Sequence, residues 1–191
     1  MSELLIELFS EEIPPNLQVS ARTQLDKLLK EEISSINLKY KTFEVYSTPT
    51  RLTVLITGLP NKINILPTEV KGPKSDVPQN VLEGFARSKN VKIENLFKKE
   101  LEKGTFYYAK IKGKEINTED ELTKIIPKSL ASISWKKSMK WSNYTLNWGR
   151  PLRSILTIFN QKHLKFKYSH LETVDFTLFE EDGNIITKKI K

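Results

Sequence analysis

Cysteine is absent from the 191 residues, which excludes a disulfide framework and thiolate chemistry and removes the commonest ligand of structural zinc. Histidine is scarce: only His163 and His170 occur, neither in a HExxH pattern nor in any other metal-ligand spacing, so both read as surface or strand histidines. The seven glycines are scattered singly, and no GxxxxGKS, GxxxxGKT or GxGxxG stretch exists to cradle a nucleotide phosphate. No run of about 18 apolar residues could span a bilayer. The opening MSELLIELFSEE places acids where a signal peptide needs a basic region. These absences predict a cytoplasmic protein with no membrane partner, no metal and no catalytic residue of its own. An apolar share of 38% is enough for an ordinary core.

Acids are missing from one long stretch. The chain holds 31 Lys and Arg against 23 Asp and Glu, a net charge of +8, yet none of the acids lies between Leu122 and Leu171. The same stretch carries Lys124, Lys128, Lys136, Lys137, Lys140, Arg150, Arg153, Lys162, Lys165 and Lys167. Such a field attracts polyanions. Trp135, Trp141, Tyr144 and Trp148 are interleaved with those cations, the pattern of a surface where cations meet phosphates and aromatics stack on unpaired bases. Trp135 and Trp148 read better as core, because each adjoins a predicted regular element.

Hydrophobic periodicity predicts a mixed α+β fold, with a mostly antiparallel sheet packed by amphipathic helices. Leu4, Ile6 and Leu8 alternate in a strand over Glu3 to Phe9. Pro14 and Pro15 then open a helix whose apolar stripe is Leu17, Ala21, Leu25, Leu28, Leu29 and Ile33. Glu11 and Glu12 flank that helix start, where negative charge complements the helix dipole, and read as structural rather than as an acid/base pair. Phe43 to Ser47 and Arg51 to Gly58 form a hairpin around Pro49. Pro60 to Pro78, with four prolines, is expected as a loop or extended arm around Lys71-Gly72-Pro73-Lys74 and as a possible domain boundary. Val81, Leu82, Phe85 and Ala86 mark a short helix, and Gly104 to Lys112 a strand. Thr118 is the expected cap of a helix with an acidic first turn, kinked at Pro127. Ser154 to Asn160 and Leu164 to Tyr168 are expected as two strands joined at Gln161-Lys162.

Several segments resemble the beta subunit of the heterotetrameric bacterial glycyl-tRNA synthetase, in that family's order. Leu5-Ile6-Glu7-Leu8-Phe9-Ser10-Glu11-Glu12-Ile13-Pro14-Pro15 is similar to the start of that subunit. Thr48-Pro49-Thr50-Arg51-Leu52 is similar to its Pro-Arg-Arg-Leu hairpin, with Thr50 in place of the first arginine. Lys71-Gly72-Pro73 resembles its Lys-x-Gly-Pro loop with one residue missing, and Glu83-Gly84-Phe85-Ala86-Arg87 its aromatic helix. Lys136-Lys137-Ser138-Met139-Lys140-Trp141 and Arg150-Pro151-Leu152-Arg153 resemble its Met-Arg-Trp and Arg-Pro elements. The family continues into a Gly-His-Arg-Phe element where this chain reads SHLETVDFTLF, so residues 1–168 carry the resemblance and 169–191 form a divergent tail.

The resemblance implies part of a glycine-tRNA ligase, an ATP-dependent aminoacyl-tRNA synthetase whose alpha subunit activates glycine with ATP and Mg, while the beta subunit binds tRNA(Gly) and helps to assemble an alpha2-beta2 tetramer. No cofactor is then expected in this segment. Candidate RNA contacts are Arg51, Lys71, Lys74, Arg87, Lys136, Lys137, Lys140, Trp141, Arg150 and Arg153. For Arg150 and Arg153 a structural salt bridge stands beside that reading. The alternative function is a free-standing RNA-binding module or a decayed fragment derived from that subunit. A hydrolytic editing domain is a third reading, disfavoured by the missing nucleophile and metal patterns.

Overall fold

The computed structural model describes residues 2–65, 67–101, 104–181 and 184–190. In chain order the elements are β1 (Ser2–Ser10), α1 (Pro15–Ser35), β2 (Thr42–Thr48), β3 (Arg51–Leu59), β4 (Lys62–Ile65), β5 (Thr68–Lys74), α2 (Gln79–Ser88), β6 (Leu96–Leu101), β7 (Gly104–Ile111), β8 (Lys114–Asn117), α3 (Thr118–Ala131), β9 (Leu152–Phe159), β10 (Lys162–His163), β11 (Lys167–Tyr168), β12 (Leu171–Glu172), β13 (Phe176–Glu181) and β14 (Asn184–Lys189). The fold is α+β, and its described ladders are antiparallel. Two compact units divide the chain, one formed by the residues up to Ile63 and from Ile116 onward, the other by Asn64–Glu115.

The larger unit is a five-stranded sheet in the order β10-β9-β1-β3-β2. Alternation of side chains sends Leu4, Ile6 and Leu8 of β1 and Leu52, Val54 and Ile56 of β3 into the core. Helix α1 lays Leu17, Ala21, Leu25, Leu29 and Ile33 into it, and Leu28 packs half-buried at its margin. Helix α3 adds Leu122, Ile125, Ile126 and Leu130. On the opposite face of the sheet, register aligns Leu5, Glu7 and Phe9 with Leu55, Thr53 and Arg51 on one side and with Ile158, Leu156 and Ser154 on the other. The Thr177 hydroxyl of β13 donates to Glu7 there, and β13 also packs against β9.

A knot of aromatics closes the core beyond α3. Trp148 is 1% exposed; its ring lies 4.9 Å from Trp135 and 6.2 Å, edge-on, from Tyr168. Offset and edge-on geometries of this kind are the favourable ones for ring pairs. Gly149 is required by close approach, since a Cβ there would stand 2.3 Å from the Trp135 ring. Burial pushes the Tyr168 hydroxyl up to about 12.

The smaller unit is the sheet β5-β7-β6 with α2 beside β5. Among its described residues the buried ones are Ala86 and Ala109. Gly72 lets α2 come close: a Cβ would stand 2.6 Å from the Phe85 ring. Two motifs of the resemblance, around Gly72 and around Phe85, are thereby in contact.

Several expectations are corrected. The Pro60 to Pro78 arm contains β4 and β5. Pro73 is tolerated because β5 is an edge strand and its register shifts between Lys71 and Lys74, so the missing N–H breaks no regular ladder. Thr118 is the first residue of α3, not its cap, and its hydroxyl donates instead to the Pro60 carbonyl at 2.6 Å. Pro127 lies inside that helix, as expected, and the helix ends at Ala131. Leu164 to Tyr168 is not one strand, because Asn160 and Gln161 take positive φ (51° and 61°) and turn the chain one residue early. The Thr157 and Thr173 hydroxyls then both donate to the Leu164 carbonyl and hold the chain between β10 and β11. The first turn of α1 itself holds no acid, and Glu11, just before it, pairs with Arg153.

Two stability outcomes follow from this packing. Leu25→Ala should destabilise the fold by about 2–5 kcal/mol in urea unfolding, as a large-to-small change at a fully buried site; a loss under about 0.5 kcal/mol would contradict that placement. Because the folded Tyr168 holds its proton above the ordinary tyrosine range of about 10, its share of stability is complete below pH 10 and is lost as pH rises toward about 12. Wild type should therefore lose more stability than Tyr168→Phe between those pH values, and parallel curves would show that burial does not hold the proton.

Candidate nucleic-acid interface

Three segments far apart in sequence meet at one end of the five-stranded sheet. β1 ends at Ser10, whose N–H donates to the Thr50 carbonyl at 2.9 Å, while the Glu11 N–H donates to Pro151 at 3.0 Å and the Ile13 N–H to Pro49 at 2.6 Å. The Pro-Pro turn, the Pro49 hairpin tip and the Arg-Pro start of β9 are thus tied by backbone hydrogen bonds. Arg153 adds an ion pair to Glu11 at 2.8 Å. Phe9, Ser10, Glu11, Glu12, Thr50, Arg150 and Arg153 line a shallow pocket of about 320 Å³ at the junction. Arg150 donates to the Gly149 carbonyl at 2.9 Å.

Arg51 stands behind this pocket with its fork engaged inside the chain. It pairs with Glu7 at 3.4 Å, donates to Thr50 Oγ1 at 3.0 Å and to the Leu178 carbonyl, and lies between the Phe9 and Phe179 rings at 4.7 and 5.6 Å. A guanidinium stacks well on aromatic faces. Arg51 therefore fastens β13 to the sheet.

Lys136, Lys137 and Lys140 lie on the irregular segment between α3 and β9, all exposed. Among the described residues none of the three has an acidic partner. The acid-free stretch as a whole does not stay free of acids in space. Lys124 pairs with Glu121 at 2.6 Å, Lys128 with Glu32 at 2.8 Å and Arg153 with Glu11.

The segment is held at both ends. The Met139 N–H donates to the Trp148 carbonyl at 2.9 Å and the Trp148 N–H returns to Met139 at 3.2 Å, which closes a loop carrying Lys140, Trp141 and Tyr144. The two-residue turn Ser169-His170 between β11 and β12 lies against it. There the Tyr144 ring stacks on His170 at 3.6 Å and 5°, and Trp141 meets the same imidazole edge-on at 5.9 Å. In the sequence Trp141 and Tyr144 stand among the cations, whereas His170 has the marks of an ordinary surface or strand histidine. Nothing in the sequence signals that the two loops meet, because Tyr168 and Trp148 bring them together through the core.

Lys71, Lys74 and Arg87 belong to the smaller unit. Lys71 sits 3.6 Å from the Phe106 ring, Lys74 is exposed at the end of β5, and Arg87 is in the last turn of α2, where a cation complements the helix dipole. Among the described residues, no cluster of three His, Asp or Glu could hold a metal ion, and no helix is long and apolar enough to cross a membrane.

Comparison with known proteins agrees with the arrangement of motifs. A family model described as glycyl-tRNA synthetase beta subunit matches residues 4–181, through β13 and past Tyr168. The glycine--tRNA ligase beta subunit of Paracoccus denitrificans (strain Pd 1222) is 36% identical over 162 residues, covering 85% of this chain and 24% of that protein. Its counterpart in Rickettsia bellii (strain OSU 85-389) is 36% identical over 177 residues, 93% of this chain and 27% of the relative. In Rickettsia prowazekii (strain Madrid E) the identity is 37% over 177 residues, again 93% of this chain, and 26% of the relative. The chain spans about a quarter of the length of these relatives. With the Pro-Pro turn, the Pro49 hairpin and the Arg-Pro strand start joined at one end of the sheet and the match running almost throughout, this chain belongs to the glycyl-tRNA synthetase beta subunit family.

Proposed function

We propose that the chain acts as the N-terminal region of a glycine-tRNA ligase beta subunit in the cytoplasm, serving glycyl-tRNA formation by holding tRNA(Gly) and assembling with an alpha subunit. Activation of glycine with ATP and Mg is assigned to that alpha subunit, and this segment contributes no reacting group. The observation that carries the RNA part is the placement of Lys136, Lys137 and Lys140, three exposed cations without acidic partners on a segment pinned to the core by Trp148. Cations so placed meet phosphates without first giving up an intramolecular ion pair.

The junction pocket supports the assembly part. Its Glu11, Glu12, Arg150 and Arg153 sum to no net charge, a mixed lining that suits the paired side chains of a protein partner better than a run of phosphates. Arg150 and Arg153 are therefore assigned to that surface.

Replacing Lys136, Lys137 and Lys140 together by Gln should weaken binding of any tRNA and lower the log–log salt slope by about two to three, at roughly 0.7–0.9 per phosphate contact. Specificity between tRNAs should change little. An unchanged salt slope in a variant that melts like wild type would end the RNA reading of this segment.

A further inference from the structure

The Tyr144–His170 stack is built from two loops that the core itself brings together. The closed loop after Met139 supplies Tyr144 and Trp141, and the Ser169-His170 turn supplies the imidazole. Beneath them Trp148 and Tyr168, buried, fix both supports. The lower face of the Tyr144 ring is covered by His170 in near-parallel contact, yet Tyr144 remains 44% exposed. An aromatic ring backed on one side by a second ring and open on the other is preorganised to receive a third planar group, since the ordering of the side chain is already done. Lys140 belongs to the same closed loop as Trp141 and Tyr144.

We infer that Tyr144, backed by His170 and buttressed by Trp141, is a stacking platform for an unpaired nucleobase of bound RNA. The inference rests on the RNA reading above and adds to it a ligand feature that lysines cannot read: an open base face, which a duplex keeps stacked inside. A phosphate-binding surface alone would take single strands and duplexes according to their charge. A surface with this platform favours the strand whose bases are free.

Binding of a short unstructured oligoribonucleotide and of a blunt RNA duplex of equal length, both to the full chain and across salt concentrations, tests the platform. Tyr144→Ala should weaken the single strand roughly five- to 150-fold, the range that one base–aromatic stack supplies. It should leave the duplex affinity and both salt slopes unchanged. Tyr144→Phe should bind like wild type, while Tyr144→Leu, which keeps bulk without a π face, should behave like the alanine variant. Each variant should melt like wild type, as expected for a side chain this exposed. Equal affinity of wild type and Tyr144→Ala for the single strand would overturn the platform and leave the lysine reading intact, and so would an equal loss for strand and duplex. Wild type that binds neither RNA would overturn both.

Discussion

β1 is hydrogen-bonded along both of its edges, to β3 on one side and β9 on the other, and this double pairing places everything else in the larger unit. Because its register fixes Phe9 opposite Arg51 and Ser10 opposite Leu152, residues some 40 and 140 positions apart in sequence are brought to one end of the sheet. A slip of one residue would turn Leu4, Ile6 and Leu8 out of the core and Glu7 into it. The alternation of β1 is thus a constraint on the junction pocket as much as on the core. Glu7 shows how: on the face away from the helices it accepts from Thr177 and pairs with Arg51, so the same strand that builds the core also holds β13 in place.

From β9 the constraint passes to the aromatic knot. Trp148 lies just before Pro151 and the start of β9, and its burial against Trp135 and Tyr168 leaves room at position 149 only for glycine. Large aromatic burial stabilises strongly for one residue, and here it anchors segments that are otherwise irregular. The exposed lysines and the Tyr144 ring project from backbone fixed at Met139 and Trp148, which reduces the ordering left to do on binding. Charge placement is selective as well: Lys124, Lys128 and Arg153 are drawn into solvent-screened surface ion pairs, whereas Lys136, Lys137 and Lys140 are left to the solvent.

How far the sequence shows all this depends on the range of the interactions. The stripe of α1, the alternation of β1 and the Pro49 hairpin are local patterns, and the structure has them nearly as expected. β6 was not foreseen, because Leu96-Phe97-Lys98-Lys99-Glu100-Leu101 carries no clean alternation and owes its strand to pairing with β7. The β13–β14 hairpin lies in a stretch expected to be a divergent tail, although its pairing joins neighbouring strands. The basic stretch was legible as composition, but its pairing was not, since Glu32 and Glu11 reach Lys128 and Arg153 from 96 and 142 residues away. Arg51 was read as an RNA candidate from its position at a hairpin end. Its contacts with Glu7 and Phe9 come from β1 across the sheet, and those with the Leu178 carbonyl and the Phe179 ring from β13, 127 residues away in the case of Leu178, which no pattern near Arg51 announces.

Ultraviolet cross-linking of the chain to tRNA(Gly), read by mass spectrometry, bears most directly on whether the pinned segment is the RNA contact. Cross-links should concentrate on the peptides containing Lys136 to Tyr144 and Ser169-His170, and should vanish from them at high salt as phosphate contacts are screened. Cross-links confined to the Lys71, Lys74 and Arg87 region, with the Lys136 to Tyr144 peptide unmodified, would contradict it.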